Sequence, residues 1–244
     1  MISDAILKLI NDGALFICND SAGKDSQAMK ILLQNLVPKQ QLVIVHANLP
    51  EVEWKGNLEH IKKYAEGVPV FEVQSKKTFF EMVNHRKMFP SPTTRQCTSD
   101  LKRGPIQKFI NNYAKTHGFT KVVNCIGLRA QESSSRAKKI AFQFKPKLSA
   151  KHREQYEWLP IHTMLLNEVW ETIKNAQQKP HYAYKLGMTR LSCCFCIMSN
   201  DSDLIIAGKH NPELAQKYIE TEEKLNFTLS MSRRPLKEIL NPKI

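Results

Sequence analysis

The chain has 244 residues, and its 36 Lys and Arg against 23 Asp and Glu give a formal net charge of +13. With 42% hydrophobic and 24% charged residues it reads as one large globular domain, which excludes collagenous, coiled-coil and wholly disordered chains. No apolar run reaches the roughly 20 residues of a membrane span, and the opening MISDAILKLINDGALFI lacks the basic flank and cleavage site of a secretory signal, so no membrane association is expected.

The first predicted strand is ALFICN, residues 14–19, an apolar run of strand length. SAGKDS follows, and then QAMKILLQNL, whose Ala28, Met29, Leu32, Leu33 and Leu36 recur at helical spacing. Residues 42–49 read as a second buried strand, residues 52–65 as a helix, and VPVFEVQ as a third strand. Such alternation predicts an α/β fold, a Rossmann-like parallel sheet with crossover helices on its faces. Helices are predicted over residues 78–87 and 101–117, followed by a strand over 121–128 and a low-periodicity loop or substrate lid over 133–156. Beyond it come a helix over 167–176, an irregular cysteine loop over 187–199, one amphipathic helix over 203–225, and a short last helix capped by Ser232.

Ser21, Ala22, Gly23, Lys24, Asp25 and Ser26 lie between a predicted strand and a predicted helix. Small residues there let backbone N–H groups converge on an anion, and the helix adds its positive dipole end. Lys24 neutralises phosphate charge and Ser26 offers a hydrogen bond, while Asp25 either braces the loop or holds Mg²⁺. The spacing is neither that of a Walker loop nor G-x-G-x-x-G. His46 and Asn48 close the second strand, at the sheet edge where ligands bind. They either flank a base or ribose or, for His46, serve as a buried structural residue.

SAGKDS resembles the S-x-G-x-D-S pyrophosphate loop of the adenine nucleotide alpha hydrolase-like (PP-loop) enzymes, with Ala22 where many members have glycine. Three further segments resemble the phosphoadenosine phosphosulfate reductase branch of that superfamily: CTSDLKRGPI at 97–106, GLRAQESSSRA at 127–137, and WLPIHTMLLNEVWETI at 158–173. The four come in the family's order and span residues 14–200. The resemblance implies a PP-loop nucleotide-binding domain over 1–200, including the cysteine loop, with 201–244 as its helical extension. It implies ATP as ligand, held by the loop with His46, Asn48, Gly127, Arg129, Glu132 and Arg136. Lys24, Asp25, Lys102, Arg129, Cys97 and Cys196 are then the expected catalytic residues. Lys102, Arg129 and Arg136 are fixed positive charges suited to a phosphate or sulfate tail, and Glu132 is placed to orient Arg129.

Six cysteines are too few for a disulfide scaffold in a chain of this length, so a reduced, cytoplasmic setting is expected. Cys193, Cys194 and Cys196 form a C-x-x-C with an extra thiol, and Cys97 lies almost a hundred residues earlier. The family brings these two regions together, and its adenylyl sulfate reductases ligate a [4Fe–4S] cluster with them. Four thiolates suffice by count. A persulfide-carrying thiol set near Arg190 and a structural zinc site stand beside that reading. Cys18 and Cys125 fall inside apolar strands and read as core.

Three function classes stand, one of them a nucleotide-sensing or binding protein that takes ATP yet releases no pyrophosphate; the other two are enzymes. One is a reductase releasing sulfite from an adenylyl or phosphoadenylyl sulfate. Its known members carry a catalytic thiol near the carboxy terminus, and here no cysteine follows Cys196. The other, which the resemblance favours, is an ATP pyrophosphatase that adenylylates an acceptor for sulfur insertion, as in DNA phosphorothioation, with a cysteine desulfurase as sulfur donor. Residues 136–153 carry Arg136, Lys138, Lys139, Lys145, Lys147, Lys151 and Arg153 without an acid, and Phe142 and Phe144 lie among them. This stretch reads as a solvated basic loop or as a mobile arm for a DNA or tRNA backbone.

Overall fold

The computed structural model describes residues 3–241, so the end of the extension expected over 201–244 lies outside the described residues. In chain order the strands are β1 Leu15–Asn19, β2 Leu42–Ala47, β3 Val70–Val73, β4 Lys121–Ile126, β5 Phe142–Phe144 and β6 Glu154–Trp158. The helices are α1 Asp4–Asn11, α2 Lys24–Leu36, α3 Asn57–Lys63, α4 Phe79–Arg86, α5 Gln96–Thr98, α6 Gly104–Thr116, α7 Ser134–Ala137, α8 Leu166–Asn175, α9 Asp201–His210, α10 Pro212–Leu225 and α11 Leu236–Leu240. The chain divides into two compact units. One takes in the chain up to His46, Asn57–Val73 and Ile106–Pro180; the other takes in Ala47–Gly56, Gln74–Pro105 and the chain from His181 onward.

The first unit is a six-stranded sheet of order β3-β2-β1-β4-β6-β5. Strands β2, β1, β4 and β6 run parallel, and β5 is an antiparallel edge. All of β2 and nearly all of β1 are buried, as expected where helices cover both faces. Leu15, Ile17, Val43, Val45 and Val122 pack with Ile110 and Ala114 of α6. Ala28 and Ile31 of α2 pack with Val169 and Ile173 of α8. Central α2 thus buries most of its length, which fixes the position of its amino-terminal end.

The second unit gathers α4, α5 and α9–α11 around Tyr218, whose ring lies 5.0 Å from Phe80, 5.1 Å from Phe195, 5.7 Å from Phe79 and 6.0 Å from Phe89. Leu49, Val52 and Trp54 join that core.

Four expectations are corrected. The stretch 133–156 holds β5 and the start of β6, because β6 buries only Gln155 and Trp158 and so shows no long apolar pattern. Phe142 is not on a free arm, since it stacks on Tyr156 at 5.5 Å. The helix expected over 203–225 is two helices, broken where Asn211 leaves the helical region and Pro212 has no N–H to continue it. The helix expected from 52 begins at Asn57, after Gly56 at φ +83°, and residues 52 and 54 serve the other core instead.

Candidate functional site

At the carboxy-terminal end of β1 the chain turns sharply. Asp20 is buried beneath the turn, and its Oδ1 accepts the Ala22 N–H at 2.8 Å while its Oδ2 pairs with Lys30 at 2.7 Å. Ala22 is held at φ +63°, a left-handed conformation that favours glycine, and this explains why only a small residue stands there. Ser26 Oγ lies 2.8 Å from Asp20 Oδ1 and 2.9 Å from the Gly23 carbonyl, so its single proton is held within the loop. His46 Nδ1 donates to the Asp20 carbonyl oxygen at 2.9 Å, which makes this buried histidine a brace of the turn.

Gly23 is the N-cap of α2 and no side chain caps the helix there. The first-turn N–H groups of a helix have no intrahelical acceptor and carry the positive end of its dipole, the ordinary setting for an anion. Two cations stand over that end. Arg129, almost wholly buried, places Nε 2.6 Å from Asp25 Oδ1, and Lys24 places Nζ 3.2 Å from Asp25 Oδ2. Gln131 Oε1 takes a second hydrogen bond from Arg129 Nη1 at 2.8 Å. Asp25 and Gln131 therefore orient the guanidinium. Glu132, expected in that role, instead accepts the Arg129 backbone N–H at 2.9 Å and pairs with Arg136.

Gly127, just past β4, lies directly on the loop. A Cβ there would sit 3.1 Å from Ser26 Cα and 3.2 Å from the Asp25 carbonyl group. The close approach is what puts Arg129, two residues on, within reach of Asp25.

The other unit holds Cys97, Cys193, Cys194 and Cys196. An antiparallel bridge joins Glu53 to Cys193, and the Cys194 N–H donates to the Val52 carbonyl at 2.8 Å. Lys102 pairs with Glu53 at 3.2 Å. Burial works against its charge, but Cys193, Glu53 and Cys196 together hold its pKa above the ordinary lysine range. Burial raises the Cys97 thiol, with Cys196 adding to the effect. Burial also pushes Cys193 up to about 12, against the pull of Lys102. Cys97, Cys193 and Cys196 pack against the same core, and Cys193 feels both of the others, although almost a hundred residues separate Cys97 from the cysteine loop. Cys194 stands apart: it is fully buried, raised by burial, and influenced by Cys193 and Glu53. Among the described residues no group of three or more His, Cys, Asp or Glu is arranged to hold a metal ion. Cys18 and Cys125 are buried strand residues, as expected.

Asn48 is in this second unit, where it lines a small cleft with Glu51, Gln74, Thr78 and Leu101. Sequence reasoning missed Asp20, Lys30, Gln131 and Glu53. The signal for Asp20 was present, an acid closing an apolar strand immediately before the loop.

The sequence profile of the phosphoadenosine phosphosulfate reductase domain matches residues 16–199. No curated protein matches the chain in sequence. Among solved structures it is similar to an FMN adenylyltransferase of Candida glabrata, with 13% identity and a TM-score of 0.51 over 79% of this chain and 57% of that one. The chain therefore spans little more than half of that protein. The phosphoadenylyl-sulfate reductase of Candida auris gives 10% identity and 0.46, over 79% of this chain and 96% of the other. The U34-tRNA thiolase NcsA of Methanococcus maripaludis, solved with its [4Fe–4S] cluster, gives 13% and 0.45 over 99% and 82%.

Proposed function

We propose that this chain, which belongs to the phosphoadenosine phosphosulfate reductase domain family, is an ATP pyrophosphatase that adenylylates DNA for sulfur insertion. The observation that carries the reading is Asp25, gripped between Lys24 and Arg129 above the uncapped end of α2. Two fixed cations over a helix terminus match the charge of a pyrophosphate leaving group, and the match improves as charge builds on it. Mg²⁺ arriving with the triphosphate needs only one or two carboxylates, and Asp25 is the one on the loop surface. Bound there, it would supply Lewis acidity to the phosphates.

In this reading a non-bridging oxygen of a DNA phosphate attacks the α-phosphorus of ATP, the α–β bond breaks, and pyrophosphate leaves. The terminal sulfur of a cysteine persulfide, charged by a cysteine desulfurase, then attacks the activated phosphorus and displaces AMP. A second thiol cleaves the resulting S–S bond, which leaves a phosphorothioate and a cysteine disulfide that an external thiol must reduce. A carrier and a resolver are required, and the packing of Cys97, Cys193 and Cys196 against one core supports such a set. Cys97→Ala and Cys196→Ala are expected to abolish sulfur transfer while pyrophosphate release persists, and Cys194→Ala to retain both. Stoichiometric iron in anaerobically purified protein would return the cluster reading.

The deciding experiment measures pyrophosphate release from Mg²⁺ and ATP, with and without DNA. Release that is lost in Asp25→Ala is expected. The family description favours a second reading, a reductase acting on an adenylyl sulfate. Sulfite from that substrate, with no pyrophosphate from ATP, would replace the first reading with the second.

A further inference from the structure

The sheet of the first unit has two ends. Its carboxy-terminal end carries the loop and Arg129. At the other end, where β4 and β6 begin, lies a groove of about 610 Å³ lined by Asn111, Lys115, Thr120, Lys151, His152 and Arg153 among others, with no Asp or Glu in its walls.

The groove is built by local structure. Ala150 and Arg153 bridge each other, with N–H to carbonyl bonds of 2.9 and 3.0 Å, and this tight turn holds Lys151 and His152 exposed at its tip. The last turn of α6 contributes Lys115, also exposed. Arg153 Nη2 donates to Asn111 Oδ1 at 2.8 Å and to the Leu148 carbonyl at 3.0 Å, so the guanidinium is fixed in place. Asn111 Oδ1 also accepts from Gln107 at 2.9 Å, which leaves its exposed amide with donors rather than acceptors to offer. Arg153 Nε is enclosed with no acceptor among the described residues. Burial draws this guanidinium below its ordinary pKa, a penalty that a nearby anion relieves. The carbonyl end of α6 opposes an anion only weakly at a solvated surface, and this is small beside the three cations Lys115, Lys151 and Arg153.

We propose that this groove anchors the sugar–phosphate backbone of duplex DNA at a distance from the chemistry. The inference rests on the reading of DNA as acceptor. Strand β4 measures the separation: Thr120 at its start lines the groove, and Gly127 past its end touches the loop. Six residues at about 3.3 Å each put the two sites roughly 20 Å apart. A phosphate held in the groove is therefore not the phosphate that reacts, and the site contributes affinity and register.

The test uses the full chain, a fluorescein-labelled duplex of about two helical turns, and fluorescence anisotropy over a salt titration. The variant is Lys115→Glu with Lys151→Glu, two exposed lysines outside the nucleotide site. Its affinity is expected to fall about tenfold or more at low salt, and the slope of log K against log salt to shrink by about 2. Pyrophosphate release from ATP without DNA is expected to stay unchanged. Unchanged affinity and slope would overturn the proposal. If the charge reversal lowers the melting temperature, Lys115→Gln with Lys151→Gln replaces it, and the same loss of slope is required. Wild-type protein that ignores the duplex, or that prefers a tRNA or an acidic peptide in the groove, also overturns it. Pyrophosphate release in that case would keep the ATP reading intact.

Discussion

At the scale of single residues, one carboxylate organises the proposed nucleotide site and another holds up its floor. Asp25 uses both oxygens, one toward Arg129 Nε and one toward Lys24. Arg129 in turn spreads a planar fork between Asp25 and Gln131, at 2.6 and 2.8 Å. A lysine cannot reproduce that fork. Arg129→Lys, although it keeps the charge, is therefore expected to lower the rate of pyrophosphate release by about 10²–10³, close to the loss in Arg129→Ala. Steady-state kinetics on both variants check this, and a lysine variant near wild type would show that charge alone suffices. Below the loop, Lys30 and Asp20 form an ion pair with both side chains buried. Asp20→Asn leaves Lys30 without its counter-charge and is expected to destabilise the protein by about 3–5 kcal/mol. Burial opposes the Asp20 charge, but Lys30, Ala22 N–H and Ser26 outweigh it and hold the carboxyl below its ordinary value of 3.8. The contribution is thus fully present above that value and is lost as pH falls through the lower folded-state value. Denaturant melts of wild type and Asp20→Asn should differ by a constant amount from neutrality down to about pH 4 and converge below it. A difference that grows on acidification would contradict the assignment.

Among elements, the contact that matters most is between the end of β4 and the start of α2. Gly127 has an ordinary backbone conformation, and it is glycine because of space: a Cβ would meet backbone atoms of Ser26 and Asp25 at 3.1–3.2 Å. Backbone on both sides cannot yield as a flexible side chain can. Gly127→Ala should push the loop and Arg129 apart by a few tenths of an ångström, raising the KM for ATP or lowering kcat by about 10–10² with the melting temperature little changed. A variant with unaltered kinetics would mean that the loop tolerates the shift. The sequence made this region legible because its logic is local: small residues, a lysine and an acid between an apolar strand and a helix. It hid Asp20–Lys30, since a charged pair reads as surface until burial is known. It also hid β5 and β6, which are short, near the sheet edge, and studded with Glu154, Glu157 and Gln143. The break between α9 and α10 had its own signal in Pro212, which helical periodicity on either side masked. Neither the pairing of Lys102 with Glu53 nor the setting apart of Cys194 is visible in spacing, because both depend on how residues 52–54 meet the cysteine loop.

For the whole molecule, connectivity decides what can be removed. The chain passes repeatedly between the two units, so neither is a continuous segment. The core of the second unit draws Trp54, Phe79, Phe80 and Phe89 from the first half of the chain and Leu204, Tyr218, Leu229, Leu236 and Ile239 from beyond residue 200. Tyr218 is its centre, fully buried among four phenylalanine rings. A chain ended at residue 200 keeps every expected site residue yet uncovers that core. Each large apolar side chain returned to water forfeits about 1.5–3 kcal/mol, and several together exceed the roughly 5–15 kcal/mol that holds a domain folded. The shortened chain is expected to bind a hydrophobic dye, lose near-ultraviolet circular dichroism from the aromatic cluster, and lose sulfur transfer because the cysteine loop has no floor. Tyr218→Ala should reproduce a milder form, with a loss of about 3–5 kcal/mol in a denaturant melt. If the chain ended at 200 kept its near-ultraviolet signal and transferred sulfur, the helices beyond that point would be an addition to the thiol site and not its support.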